Sequence, residues 1–212
     1  MDKSEIKRKV KYLLSFGTGK SEVYSELSGP GVKDRDLAWA IASYPDQALY
    51  ERYKNMVRAL AALLVVETIT WLIMAVISLV YLPIETQARI GVLITAFIAL
   101  LPVFFAWRFS QSDGSRYSTY IMCALMYLLM YVLEYLLKLK LSLLAVVWGL
   151  GTGVMVPQVI LSQFIPGFAG ELIGIALALV QIGFAWYVKR KLFPDLGFFG
   201  SRKINGRYAF SS

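Results

Sequence analysis

Apolar positions recur at helical spacing over residues 1–55 and then merge into long unbroken stretches. Ile6, Val10, Leu13 and Leu14 share one face beside Lys7, Arg8, Lys9 and Lys11, which predicts an amphipathic helix closed at Phe16-Gly17. A second helix is expected from about Ser21, with Val23, Tyr24 and Leu27 as its apolar face, ending at Ser28-Gly29-Pro30-Gly31. Asp34 or Asp36 caps a third, from Leu37 to Tyr44. Pro45 suits the first turn of a fourth, with Ser43 or Tyr44 at the cap. No breaker follows before Pro83, so one helix of ~57 Å is expected to leave this head and become the first apolar segment. A head of ~55 residues is marginally stable alone and needs to dock on that helix or on a membrane.

Five apolar stretches follow, at about 59–82, 89–107, 117–137, 141–165 and 170–188. Stretches of this length reach the ~18 residues that mark a membrane-spanning helix. The expected fold is all-α: a multi-pass transmembrane helical bundle of four to five spans (residues 56–188) between a helical head (1–55) and a tail (189–212). Gln87-Ala88-Arg89 and the Arg108 to Arg116 segment, with Asp113-Gly114 as a turn, separate the first three stretches. The fourth is unlike the others. Lys138-Leu139-Lys140 precedes it without turn chemistry, and the breakers come later, at Gly149-Leu150-Gly151-Thr152-Gly153, Pro157 and Pro166-Gly167. A segment that dips into the bundle and returns fits that placement.

Charge points the same way. The chain carries 22 Lys/Arg against 14 Asp/Glu, with 11 of the basic residues in 1–58 and six in 189–212. With a cytoplasmic N-terminus, five spans put 13 Lys/Arg inside and nine outside, whereas a re-entrant fourth segment puts 19 inside and three outside. The positive-inside rule prefers the second arrangement and a basic head and tail facing an anionic leaflet. In a bacterial host this is the inner membrane. The first 55 residues hold no apolar core of a cleavable signal.

Two patterns in the head invite functional readings. Gly17-Thr18-Gly19-Lys20-Ser21 ends like a phosphate-binding loop, but Leu14 stands where that loop needs glycine, and no strand precedes it. The helix–turn–helix spacing offers no basic recognition helix, because eight acidic residues offset the eleven basic ones, and no nucleic acid is expected. A protein partner at the cytoplasmic face is the expectation for the head.

Within the apolar stretches, ionisable groups mark candidate function. Glu67 lies nine residues past Arg58, about 13 Å into the first span, with Thr68 and Thr70 beside it. Arg116, Tyr120, Cys123, Tyr127, Tyr131, Glu134 and Lys138 fall within about 40° of Tyr127 on a helical wheel, as a path or a helix-packing face. Glu134 and Lys138 are also spaced as an ion pair. Gly149, Gly151, Thr152 and Gly153 are candidates for an unwound segment with carbonyls free for an ion. Gly167, Gly170, Gly174, Ala178, Gln181 and Ala185 line a close-approach face, against another helix of this chain or a second copy.

Catalysis is not expected. The chain has no histidine and one cysteine, Cys123, and no aspartate falls inside a span, which removes histidine-based triads and paired-aspartate proteases. Neither metal nor cofactor is expected. Two function classes remain. The expected one is a non-enzymatic scaffold, sensor or inhibitor working through head and tail, because Glu67 is the one centrally placed ionisable residue and no inverted repeat is evident. The other is an oligomeric channel or small transporter using Glu67 and the glycine-rich break.

Overall fold

Helices account for nearly all regular structure in the computed structural model, which describes residues 2–81, 86–110, 113–137, 142–157, 159, 165, 168–197, 200–204 and 207–210. The head comprises α1 (Lys3–Ser15), α2 (Lys20–Leu27) and α3 (Asp34–Ala42). Asp2 caps α1 by accepting from the Lys3 backbone N–H at 2.7 Å, and Gly17, at φ +82°, turns the chain toward α2. Ile6 and Val10 of α1, Val23 of α2 and Leu37, Ala40 and Ile41 of α3 form a small core of their own.

α4 (Gln47–Tyr81) is one helix of 35 residues, about 52 Å at the α-helical rise. Its cap differs from expectation. Asp46 accepts from the Ala48 and Tyr50 backbone N–H groups, at 2.7 Å through its side chain and 2.9 Å through its carbonyl, so Pro45 stands just outside the helix. The second apolar stretch also differs, being split into α5 (Thr86–Ile98) and α6 (Leu101–Ser110). Pro102 has no N–H to give the carbonyl of Ile98, so the helix restarts at Leu101 with Pro102 in its first turn. α7 (Gly114–Leu137), α8 (Ser142–Thr152) and α9 (Phe168–Leu192) complete the bundle.

Three of these segments are long and apolar enough to cross a membrane: Gln47–Tyr81, Arg89–Ser110 and Leu172–Leu192. The burial pattern agrees. Val66, Ile69, Ile73, Val76 and Val80 of α4 and Leu179 and Val180 of α9 are exposed, while Glu67, Thr68, Ser118 and Gln181 point inward. Apolar outside and polar inside is the arrangement a lipid solvent selects. The described residues thus form a helical bundle with three segments able to cross a membrane, consistent with a multi-pass membrane protein.

Head, tail and four helix ends meet at one end of the bundle. The Gly114 N–H donates to the Ser43 carbonyl at 2.9 Å, joining the start of α7 to the end of α3. After α9, Phe193 and Leu196 are buried against Gly114, where an added Cβ would lie 2.7 Å from the Phe193 ring. The tail then folds back as β1 (Lys203–Ile204) paired antiparallel with β2 (Arg207–Tyr208). Phe210 beyond it packs beside Tyr24, with ring centroids 5.5 Å apart, and touches both cores. Lys20 and Asp195 close the joint with a 2.9 Å ion pair, their side chains only 7% and 5% exposed. The lysine of the loop-like Gly17–Ser21 pattern is thus committed to the tail.

Candidate functional site

Glu67 lies midway along α4, on the face turned toward α9, where its environment is apolar. It is 4% exposed. Its Oε2 accepts from the Gln181 amide at 3.0 Å, and the same Nε2 donates to the Tyr120 hydroxyl at 2.8 Å. Three helices therefore meet in a Glu67–Gln181–Tyr120 chain. Oε1 of Glu67 is buried with no hydrogen-bond partner among the described residues, as are Oγ1 of Thr68 and Nε1 of Trp71.

Small residues make the meeting possible. Gly174, Ala178 and Ala185 share the inward face of α9 with Gln181, which lets that helix approach α4 and α7. That face is filled by helices of the same chain. Gly170 lies in the first turn of α9, and Gly167 falls outside the described residues. On α7, Tyr120 is enclosed by Phe105 and Phe109, with centroids at 5.4 and 5.5 Å, and Tyr117 stacks on Phe109 at 4.2 Å. The aromatic stripe of α7 is to that extent a packing face, from which Tyr120 is tied to the carboxyl through the Gln181 amide.

The fourth side of the site is the end of α8. Gly149, Gly151 and Thr152 remain helical, and the chain leaves the helix only at Gly153, which has φ +80°. Three of the local carbonyls are occupied. Gly149 accepts from Met155 N–H at 3.3 Å, Leu150 from Gly153 at 3.1 Å and Gly153 from Val156 at 2.9 Å. These glycines serve close approach. A Cβ at Gly149 would sit 2.7 Å from the Tyr127 ring, one at Gly151 3.4 Å from Leu101, and one at Gly153 would collide with the Glu67 carboxylate. Thr152 donates to the Trp148 carbonyl at 2.8 Å.

The structure thus brings Glu67, Gln181 and Gly153 together, with Tyr127 one layer away on Gly149. Thr70 stands apart, its hydroxyl donating to the Val66 carbonyl at 2.8 Å. Tyr131 is half-buried, 6.2 Å from Tyr127 by ring centroid. The Glu134 and Lys138 side chains lie outside the described residues, so their expected pairing does too. Sequence reasoning placed Gln181 on a packing face and Tyr120 in a stripe without joining either to Glu67. Their polarity among apolar neighbours was the available signal.

Asp113-Gly114-x-Arg116 is a helix start. Asp113 Oδ1 accepts from the Ser115 N–H at 3.0 Å and its hydroxyl at 2.6 Å. No family model, curated protein or solved structure matches the chain.

Proposed function

We propose that this protein has four full spans and a re-entrant fourth segment, and that it carries a small cation through the bundle by way of Glu67. The observation that carries the reading is the contact between Gly153, at the tip of α8, and Glu67 in the interior of α4. α7 runs away from the head for 24 residues, about 36 Å, so α8 sets out from the far end and meets Glu67 on its way back. The buried Lys20–Asp195 pair supports an even number of crossings, because it holds head and tail on one side. Charge counting makes that side cytoplasmic. Backbone that leaves a helix at membrane depth is tolerated where protein surrounds it, and here it lies against an ionisable group.

The experiment is reconstitution of the full chain into liposomes with a pH or cation gradient. Wild type is expected to dissipate the gradient and Glu67→Gln to lose at least tenfold of that rate. Equal rates in the two proteins refute the Glu67 route. A reporter fused after Ser212 is expected to be active on the cytoplasmic side, and an external signal refutes the re-entrant topology.

A second reading keeps the head and tail as a platform for a protein partner, making the protein a scaffold, sensor or inhibitor. It is favoured by a groove of about 410 Å³ between α1 and α2, lined by Arg8, Lys9, Tyr12, Leu13, Glu26 and Leu27. It predicts no flux in wild type. Because the small-residue face of α9 is occupied within the chain, a homo-oligomer would use the lipid-facing surfaces.

A further inference from the structure

We infer that the cation held at Glu67 is a proton, bound by a Glu67–Gln181–Tyr120 relay that the glycine tip of α8 closes; this rests on the transport reading above and names its ligand. The choice follows from what faces the carboxyl. A hard metal ion asks for on the order of six oxygen ligands. Gln181 instead turns its amide N–H₂ toward both Glu67 Oε2 and the Tyr120 oxygen. The carbonyls of Gly149, Leu150 and Gly153 already accept backbone N–H groups. No cluster of three His, Cys, Asp or Glu side chains occurs among the described residues.

Charged groups on the surrounding helices are engaged elsewhere. On α7, Arg116 stands one turn from Tyr120 and faces Asp113 at 3.8 Å. On α6, Arg108 lies over the rings of Phe104 and Trp107, at 5.2 and 4.9 Å from their centroids. On α9, Lys189, two turns beyond Gln181, donates to the Gly197 carbonyl at 3.1 Å. Within α4 the nearest basic residue is Arg58, about 13 Å away along the axis. On α5, Arg89 stands near the end farthest from the head, and the described side chains of α8 carry no charge. Tyr120 is the titratable neighbour that shares the relay.

A proton satisfies this environment where a metal ion does not. It neutralises the carboxyl through an O–H on Oε2, so that Oε1, which has no partner among the described residues, carries no charge in this apolar site. The Gln181 amide suits both states. It presents N–H₂ to the carboxylate, or, turned over, its C=O to the O–H of the protonated acid and the Tyr120 hydroxyl. Loading and unloading thus require one amide rotation and no movement of backbone.

The test uses the full-length protein in lipid nanodiscs with N,N′-dicyclohexylcarbodiimide, which attacks protonated carboxyls in apolar surroundings, and peptide mass mapping. Glu67 is expected to be modified at low and neutral pH, with yield falling as pH rises and unchanged by sodium or potassium. An infrared carbonyl band that shifts in D₂O is expected in wild type and absent from Glu67→Gln. Protection by sodium or potassium at fixed pH overturns the proton assignment while leaving transport in place. Absence of both label and band at every pH, in protein whose circular dichroism is that of the folded chain, overturns it as well. Label and band without liposome flux establish the proton site and refute transport.

Discussion

Replacing Lys20 by Met is the most direct probe of how head and tail hold together. The ammonium sits 2.9 Å from Asp195, with both side chains more than nine-tenths buried, and the pair links residues 175 positions apart. Removing one member of such a pair strands the other charge out of water, at about 3–5 kcal/mol. At ~1.4 kcal/mol per tenfold, head release should become roughly a hundred- to a few-thousandfold more frequent. Hydrogen exchange reads this directly, because the amides of α2 and of the Phe193–Leu196 turn lose protection together while those in α4 keep theirs. Lys20→Met/Asp195→Leu removes both charges and keeps the volume, and should return to within ~1 kcal/mol of wild type. Protection in Lys20→Met within threefold of wild type would refute the claim that this pair is dry and structurally committed. A double variant as weak as the single would refute the claim that the stranded charge is what costs.

Two further outcomes follow from the same geometry. Gly153→Ala should lower thermal stability in detergent by ~1–2 kcal/mol from the left-handed backbone alone, with a further loss from collision at Glu67. Gly183→Ala, with nothing within 4 Å, should be neutral or gain up to ~1 kcal/mol, and equal effects at the two sites would refute the close-approach role. Burial first, and Asp113 second, raise the ionisation of Tyr44 above its ordinary 10.0. The neutral phenol is therefore favoured by folding, so this contribution is full below pH 10 and is lost as pH climbs through the raised value. A tyrosinate difference titration of wild type against Tyr44→Phe should show its step above pH 10, and a step at or below 10 refutes it.

The head helices were legible because amphipathic spacing, Gly17 and the Gly29–Gly31 turn are local signals. Glu67 stood out because a lone carboxylate in an apolar run is rare. The relay was not legible, since Gln181 lies 114 positions from Glu67 and their meeting depends on how α4 and α9 are rotated about their axes. Gly149, Gly151 and Thr152, expected in an unwound segment, stay helical, the two glycines admitting Tyr127 and Leu101, and the chain leaves the helix at Gly153. The split at Ala99–Leu100 had its signal in Pro102, which an apolar run conceals when it is read for hydropathy alone. Asp46 displaced Ser43 and Tyr44 as cap because its carboxylate reaches the Ala48 N–H from just outside the helix.

The long separation between partners also sets an order of assembly. Lys20 leaves the ribosome 175 residues before Asp195, and Glu67 leaves 114 residues before Gln181. At ~5–20 residues per second, the first span waits roughly 6–23 s for its amide partner. Throughout that interval it must reside in lipid, or in the insertion machinery, with an uncompensated carboxyl. α9 then resolves both debts in one insertion, supplying Gln181 in the interior and Asp195 just past its end. A chain stopped before α9 therefore lacks the partners that the structure gives to both Glu67 and Lys20.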